Sequence, residues 1–413
     1  MKITRFGGSF IGWSEKAIGI LIFWKWGGNH DAPNLTDSII LASIHPKYHT
    51  VSMLSVPRDL YVEYGNNQKW KINEIYRKYF ELEKLSETES AMKLAEKLQE
   101  ITWFKADYFV GIDFEWFKKI IDLVGGVEVE VEKAIYDNEY PTPSWGYTTF
   151  ILKAGTWNID GETALKYARS RHSTSDFDRS FRQQQIISWL KEKLSSEGYL
   201  SSPRKMKELY NILSNYIKTN LDIATIIDLA KESQQNISIL SANLNNSCFY
   251  WSASCEKWGF LYTPDRNLFW GASVLVPNGS TWKNLSNYAE IQVFTRLFLN
   301  SPEIFKNNYQ INIFNASKKY NIASELANIL VKHWFNVPLK WSIWNTKGKE
   351  FLKTTLYYNW IDGDDETLQN IRQMLGISEL QKTETPLYST DINTKIEIIL
   401  GDDYETLSGS LIY

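Results

Sequence analysis

Apolar and polar residues along this chain fall into blocks that switch between a period near two and a period near 3.6. The run Ala17-Ile-Gly-Ile-Leu-Ile-Phe-Trp24, followed by Lys25 and Trp26-Gly-Gly-Asn29, predicts a buried strand ending in a loop. Residues 38–44 and 50–56 predict two more strands, joined by the turn His45-Pro46-Lys47. Between 90 and 102 the apolar residues stand at 91, 94, 95, 98 and 101, one face of a helix. Residues 108–112 predict a short strand and 114–124 a helix stopped by Gly125-Gly126. Val127-Glu-Val-Glu-Val131 alternates as a strand with one face in solvent. From 161 to 194 the pattern is helix, a break at 172–175, then a second helix starting near Asp176, and 203–234 predicts further amphipathic helix. Elements mixed in this way predict an α/β protein, an α-β-α sandwich with a mixed central sheet.

The pattern changes near 277. The loop Pro277-Asn-Gly-Ser-Thr, one amphipathic helix at 288–299 and Ser301-Pro302 predict a linker over 277–307. Beyond it, strands near 310–315, 338–344, 353–358 and 395–400 and helices near 321–334 and 365–375 predict a small C-terminal α/β domain of split βαβ type. The expected organisation is an N-terminal extension 1–17, a large domain 18–276, the linker, a C-terminal domain 308–405 and a tail 406–413.

Composition narrows the chemistry. A length of 413 residues suits two or three domains, and 43% apolar with 23% charged residues is globular usage. Lys and Arg number 45 against 48 Asp and Glu, so no global basic field exists to hold nucleic acid and any anion site must be local. Two cysteines, Cys248 and Cys255, exclude a disulfide framework and a four-cysteine zinc module. One small-loop disulfide and two free thiols stay equally open. The first apolar run is too short to cross a bilayer and has no cleavage site after it, so the printed chain reads as soluble.

Candidate chemistry is densest in Tyr167-Ala-Arg169-Ser-Arg171-His-Ser-Thr-Ser-Asp176-Phe-Asp178-Arg179-Ser-Phe-Arg182-Gln183-Gln-Gln. On a helix from Asp176, Arg179 and Gln183 share one face, and Arg169 and Arg171 are placed to converge on the same spot. Arginine forks bind phosphate oxygens in pairs, so a converging set suits pyrophosphate. A solvated helix face neutralised by Asp176 and Asp178 is the competing reading. Arg58-Asp59 follows a predicted strand, where α/β sheets build sites, although a surface ion pair there is also ordinary. Asp31 and Asp37 offer hard oxygen ligands suited to Mg²⁺, against a turn cap for Asp37; Lys71 is a phosphate lysine or merely exposed. His172 and Ser173 have no third partner for a nucleophilic triad, and neither a P-loop nor zinc-ligand spacing occurs.

These segments, in this order, resemble the LytR-CpsA-Psr family. The resemblance rests on His30-Asp31-Ala-Pro-Asn-Leu-Thr-Asp37-Ser, Ser55-Val-Pro-Arg58-Asp59, Lys71-Ile-Asn73, Val124-Gly-Gly-Val127, and Gly161 through Arg169-Ser-Arg171 to Arg182-Gln-Gln. It covers residues 18–195 in detail. Ile311-Asn-Ile-Phe-Asn-Ala-Ser and Phe335-Asn-Val337 look like the accessory LytR C-terminal domain. The resemblance implies a phosphotransferase at the outer face of the cytoplasmic membrane. It would move a glycopolymer from a polyprenyl-pyrophosphate carrier to peptidoglycan with Mg²⁺, and carrier pyrophosphatase activity would be a side reaction. It assigns Arg58, Lys71, Arg169, Arg171, Arg179, Arg182 and Gln183 to the pyrophosphate, and Asp37 with Asp31 to the metal. Asp59, beside Arg58, would orient groups or accept the attacking hydroxyl's proton. The apolar helices around 114–124 and 186–194 would line a slot for the lipid. The alternatives are a transcriptional attenuator, disfavoured by the charge, and a non-catalytic carrier-binding module.

The chain departs from the family pattern in three places. Where many members carry a carboxylate after the first strand, this chain is near Gly27, and Asp31 is the substitute. No N-terminal anchor is written. Trp24, Trp26, Trp270, Trp334 and Trp360 stand where the family pattern has glycine, which suggests UGA codons meant as glycine. Restoring all five would raise glycine from 22 to 27, near the usual share.

Overall fold

The computed structural model describes residues 17–25, 33–65, 68–142, 146–170, 176–199, 201–213, 217–222, 224–226, 228–229, 237–244, 259–338, 343–345 and 353–406. The chain forms two compact units, Met1–Asn245 with Thr263–Asn287, and Asn246–Tyr262 with Tyr288–Tyr413.

In the first unit the order is β1 Ile18–Lys25, β2 Thr36–His45, β3 Thr50–Val56, β4 Tyr61–Tyr64, β5 Gln68–Lys71, α1 Glu74–Arg77, α2 Glu87–Thr102, β6 Tyr108–Asp113 and α3 Phe114–Leu123. Then come β7 Val127–Val131, β8 Ile135–Pro141, β9 Tyr147–Leu152, β10 Gly155–Ile159, α4 Gly161–Arg169, α5 Asp176–Ser196, α6 Pro203–Leu213, β11 Ile217–Thr219 and β12 Ser238–Asn243. The central sheet runs β11-β6-β1-β2-β3-β12. It is mixed: β1 lies antiparallel to β2 and parallel to β6, and β3 lies parallel to β12.

Strand alternation distributes β1 between two helical layers. Its even positions Ile18 and Ile20 pack with Ile40 and Met53 and with Ile187 of α5, while Trp24 joins α3, α4 and α5. Its odd position Phe23 stacks on Phe109 and tilts against Tyr76 of α1. Both faces are therefore covered, which is why the strand reads as an unbroken apolar run. The expected helical face of α2 is the buried one, with Ala91, Leu94, Ala95, Leu98 and Ile101 inside. A capping box closes its start: Ser86 accepts from the Glu89 amide, and Glu89 accepts from the Ser86 amide. Gly161 starts α4 where a Cβ would lie 2.2 Å from the Lys118 carbonyl oxygen, so only glycine lets α4 sit this close to α3.

The second unit carries α7 Ala289–Asn300, α8 Pro302–Asn307, β13 Ile311–Asn315, α9 Ile322–Lys332, β14 Ile343–Asn345, β15 Thr355–Tyr358, α10 Glu366–Met374, β16 Glu379–Lys382 and β17 Ile396–Leu400. Its sheet runs β14-β13-β17-β15-β16, with a fifth strand, β16, that the sequence pattern did not predict. The expected linker is not a linker beyond 287. Residues 289–307 form two helices, and Val293, Leu297 and Ile304 belong to the same apolar core as Ile311, Leu326 and Leu356. Glu397, fully buried on β17, accepts from the amides of Leu387, Tyr388 and Ser389 and so pins that loop to the sheet. Cys248 and Cys255 lie outside the described residues.

Candidate functional site

The ends of β2, β3 and β5 bring a chain of ion pairs together. Asp37 sits at the start of β2, Arg58 and Asp59 on the turn after β3, and Lys71 at the end of β5. The hairpin β4–β5 sets Lys71 across from Tyr61. Backbone bonds fix the loop: the Ile72 amide donates to the Leu60 carbonyl, the Asn73 amide to that of Arg58, and the Thr36 amide to that of Asn73. Arg58 Nη1 donates to Asp37 Oδ1 at 2.5 Å, and Arg58 Nε lies 3.7 Å from Asp59 Oδ2. Lys71 Nζ donates to Asp59 Oδ1 at 2.6 Å. These four side chains keep between 14% and 29% of their surface, so a ligand reaches them while water screens them only in part.

Arg169, the last residue of α4, joins this group. Its guanidinium lies 4.6 Å from the Phe114 ring centre and 5.3 Å from that of Tyr140, and Nη1 donates to the Tyr140 hydroxyl at 3.2 Å. Burial holds Arg169 below its ordinary value, while Tyr140 and Asp37 pull the other way. Asp37 is therefore within electrostatic reach of both Arg58 and Arg169. Burial pushes the Tyr140 phenol up, so the hydroxyl stays protonated and accepts from Arg169. The arrangement is a set of cations partly neutralised by two carboxylates, with one guanidinium stacked between aromatic rings. It can hold an anion that carries several oxygens.

Arg182 differs from its expected role. It is buried to 5% exposure and donates to the backbone carbonyls of Tyr167 and Ser170. It ties α5 to the end of α4, next to Arg169. Asp31 and Arg171 lie outside the described residues, and so do the side chains of Arg179 and Gln183, whose backbones belong to α5. Sequence reading missed Tyr140 and Phe114, whose stacking exists only in three dimensions. It also missed Gln184, which donates to the Ser55 hydroxyl at 2.9 Å and to the Ala242 carbonyl at 3.3 Å, clamping β3 to β12. At the place of the expected slot between the sheet and the helices α3 and α5, Phe117, Ile120, Ile186, Leu194 and Trp24 form one buried cluster.

Among the described residues no three His, Cys, Asp or Glu side chains gather into a metal cage. The donor set nonetheless fits Mg²⁺ bound together with phosphate. Arg58 takes Asp37 Oδ1, which leaves Oδ2 to a cation, and one or two carboxylates are all this ion asks of a protein.

Comparison with known proteins adds the following. Residues 12–257 match the LytR_cpsA_psr family, and residues 308–404 match the LytR cell envelope-related transcriptional attenuator domain. The chain is 31% identical over 193 residues to the polyisoprenyl-teichoic acid–peptidoglycan teichoic acid transferase TagV of Bacillus subtilis, 46% of this chain and 45% of that protein. It is 28% identical over 219 residues to the regulatory protein MsrR of Staphylococcus aureus, 51% of this chain and 60% of that one. The chain thus spans about half the length of the curated relatives it matches. A crystal structure from Streptococcus agalactiae superposes with a TM-score of 0.50 at 23% identity, covering 69% of this chain and 88% of that one. That likeness bears on the fold, a mixed-sheet α/β sandwich.

Proposed function

The chain belongs to the LytR-CpsA-Psr family, and from that premise we propose that it moves a glycopolymer from a polyprenyl-pyrophosphate carrier to peptidoglycan at the outer face of the cytoplasmic membrane. The acceptor hydroxyl oxygen bonds to the phosphorus that carries the glycan. The bond from that phosphorus to the bridging oxygen breaks, polyprenyl phosphate leaves, and a phosphodiester remains. Little covalent chemistry falls to the protein in such a transfer; positioning and charge do most of it. Arg58, Lys71 and Arg169 hold the phosphate oxygens, with Arg171, Arg179 and Gln183 added from the family pattern. Asp59 keeps Lys71 and Arg58 in register and is the carboxylate we assign to take the hydroxyl's proton. Mg²⁺, held by Asp37 with Asp31, would neutralise charge on the phosphates when bound. Water in place of the acceptor hydroxyl gives carrier hydrolysis as the side reaction.

One observation carries this reading: Asp37, Arg58, Asp59 and Lys71, from three strand ends, form a continuous ion-paired chain that Arg169 joins electrostatically. Relatives bearing teichoic acid transferase names support the choice of chemistry. The test is to incubate the purified chain with lipid-linked glycan, peptidoglycan and Mg²⁺ and to look for released polyprenyl phosphate with glycan on the wall polymer. Product from wild type but not from Asp37→Asn is expected. No product from either, with retention on DNA at low salt, would favour the regulatory reading.

A further inference from the structure

Tryptophan occupies backbone positions in this protein that its own helices elsewhere give to glycine. Three helices end in the same pair of bonds, in which a left-handed residue's amide reaches back three positions and the next amide reaches back five. After α3 these are Gly125 to Asp122 and Gly126 to Ile121. After α5 they are Gly198 to Ser195 and Tyr199 to Leu194, and after α10 Gly376 to Gln373 and Ile377 to Arg372. The left-handed residue is glycine each time, with φ of 77°, 74° and 63°. Helix α9 ends with the same two bonds, Trp334 to Val331 and Phe335 to Leu330, yet the residue at φ 69° is tryptophan.

The pattern recurs. Trp103 ends α2 at φ 55°, its amide bonded to the Gln99 carbonyl. Trp270 closes the short turn Arg266–Phe269 at φ 53°, directly before Gly271 at φ 82°. Trp360 follows β15 at φ 52°. Tryptophan thus accounts for four of the eight described non-glycine residues at positive φ, where asparagine and aspartate ordinarily dominate and a bulky side chain is an outlier. Burial does not offset the conformation in three of the four, because Trp103, Trp270 and Trp360 are 55%, 82% and 53% exposed as residues, Trp360 with Lys395 over its ring. The family comparison singles out 24, 26, 270, 334 and 360; position 103 lies outside it, so the backbone identifies it independently. Trp24, by contrast, is buried on the extended backbone of β1, which asks for no glycine, and position 26 lies outside the described residues.

We propose that residues 103, 270, 334 and 360 are glycine in the protein as its own cell makes it, their codons being UGA read there as glycine. The inference is independent of the proposed transferase activity. Trp70 in β5 and Trp157 in β10, on extended backbone, are true tryptophans encoded by UGG. The gene and the native protein test this together. UGA at 103, 270, 334 and 360 with UGG at 70 and 157, and glycine at the four positions in peptides sequenced by mass spectrometry from native cells, is the expected result. UGG at the four positions, or tryptophan in those native peptides, overturns it. The fold offers a separate readout, using the printed sequence as reference. Trp103→Gly, Trp270→Gly and Trp360→Gly combined should raise the thermal midpoint, whereas Trp70→Gly with Trp157→Gly should lower it. A fall in the first combination counts against the assignment.

Discussion

Replacing Arg169 by methionine separates ligand binding from stability. The folded protein disfavours the charged guanidinium through burial, a cost that Asp37 and Tyr140 offset only in part, so removing the charge relieves the remainder. Against this stand the two ring contacts, about 1–2 kcal/mol each at this largely buried place, and the bond to the Tyr140 hydroxyl, about 1 kcal/mol. A methionine thioether between Phe114 and Tyr140 returns about 0.3–1.5 kcal/mol. These terms nearly cancel, so the Arg169→Met protein should unfold within about 1 kcal/mol of wild type. Binding is another matter. One charged hydrogen bond to phosphate contributes about 1.5–3 kcal/mol, so Kd for a polyprenyl pyrophosphate should rise about tenfold to a hundredfold. Arg169→Lys, which keeps the charge but not the planar fork, should recover only part of the loss. Calorimetric titration in detergent micelles, alongside thermal unfolding, reads both quantities. A methionine variant that binds like wild type, or one that loses several kcal/mol of stability, refutes the reasoning.

Asp37→Asn removes one of the two carboxylates paired with Arg58, so carrier binding should hold or tighten while Mg²⁺-supported transfer falls about a hundredfold or more; equal loss of both in parallel assays would contradict the role. His333 is buried, its Nδ1 bonded to the Ile329 carbonyl, and burial pulls its pKa down to about 4. The unfolded chain takes that proton near pH 6.5 and the folded unit only near 4, so stability present above 6.5 is lost on acidification through that window. The loss is on the order of 3 kcal/mol, and urea midpoints at pH 7 and 4.5, with His333→Leu flattening the difference, would show it. A chain cut at 306 keeps α7 but loses the core beneath it, stranding Phe294 and Phe298, which are buried in the whole protein. It should aggregate more than a chain cut at 287, which strands Phe260 but neither Phe294 nor Phe298, as size exclusion would show.

The strands around β1 and helices α2 and α3 were legible because burial on both faces or on one stripe imposes a period on the residues themselves. The hairpin β8–β9 was not: Tyr136, Tyr147 and Ile151 are exposed, so its pattern resembles a loop. Nor was β12, a strand defined mainly by pairing with β3. The reading of 277–307 as a linker took a real helix and a real Ser-Pro start, but nothing local says that Val293 and Ile304 face a core built by residues beyond 310. At the site, Asp37, Arg58, Asp59 and Lys71 were legible as short motifs at strand ends. Arg182 Nε and Nη2 donate to main-chain carbonyls, a destination that a run of arginines does not disclose.

The pairing of β12 with β3 also sets a timetable for synthesis. Strand β3 comes early in the chain, but its outer hydrogen-bonding edge stays open until residues 238–243 join the sheet. Such late closure slows folding, and a bare edge recruits strands from neighbouring nascent chains. A chain cut before residue 238 would keep that edge bare and should self-associate, whatever the quality of its core.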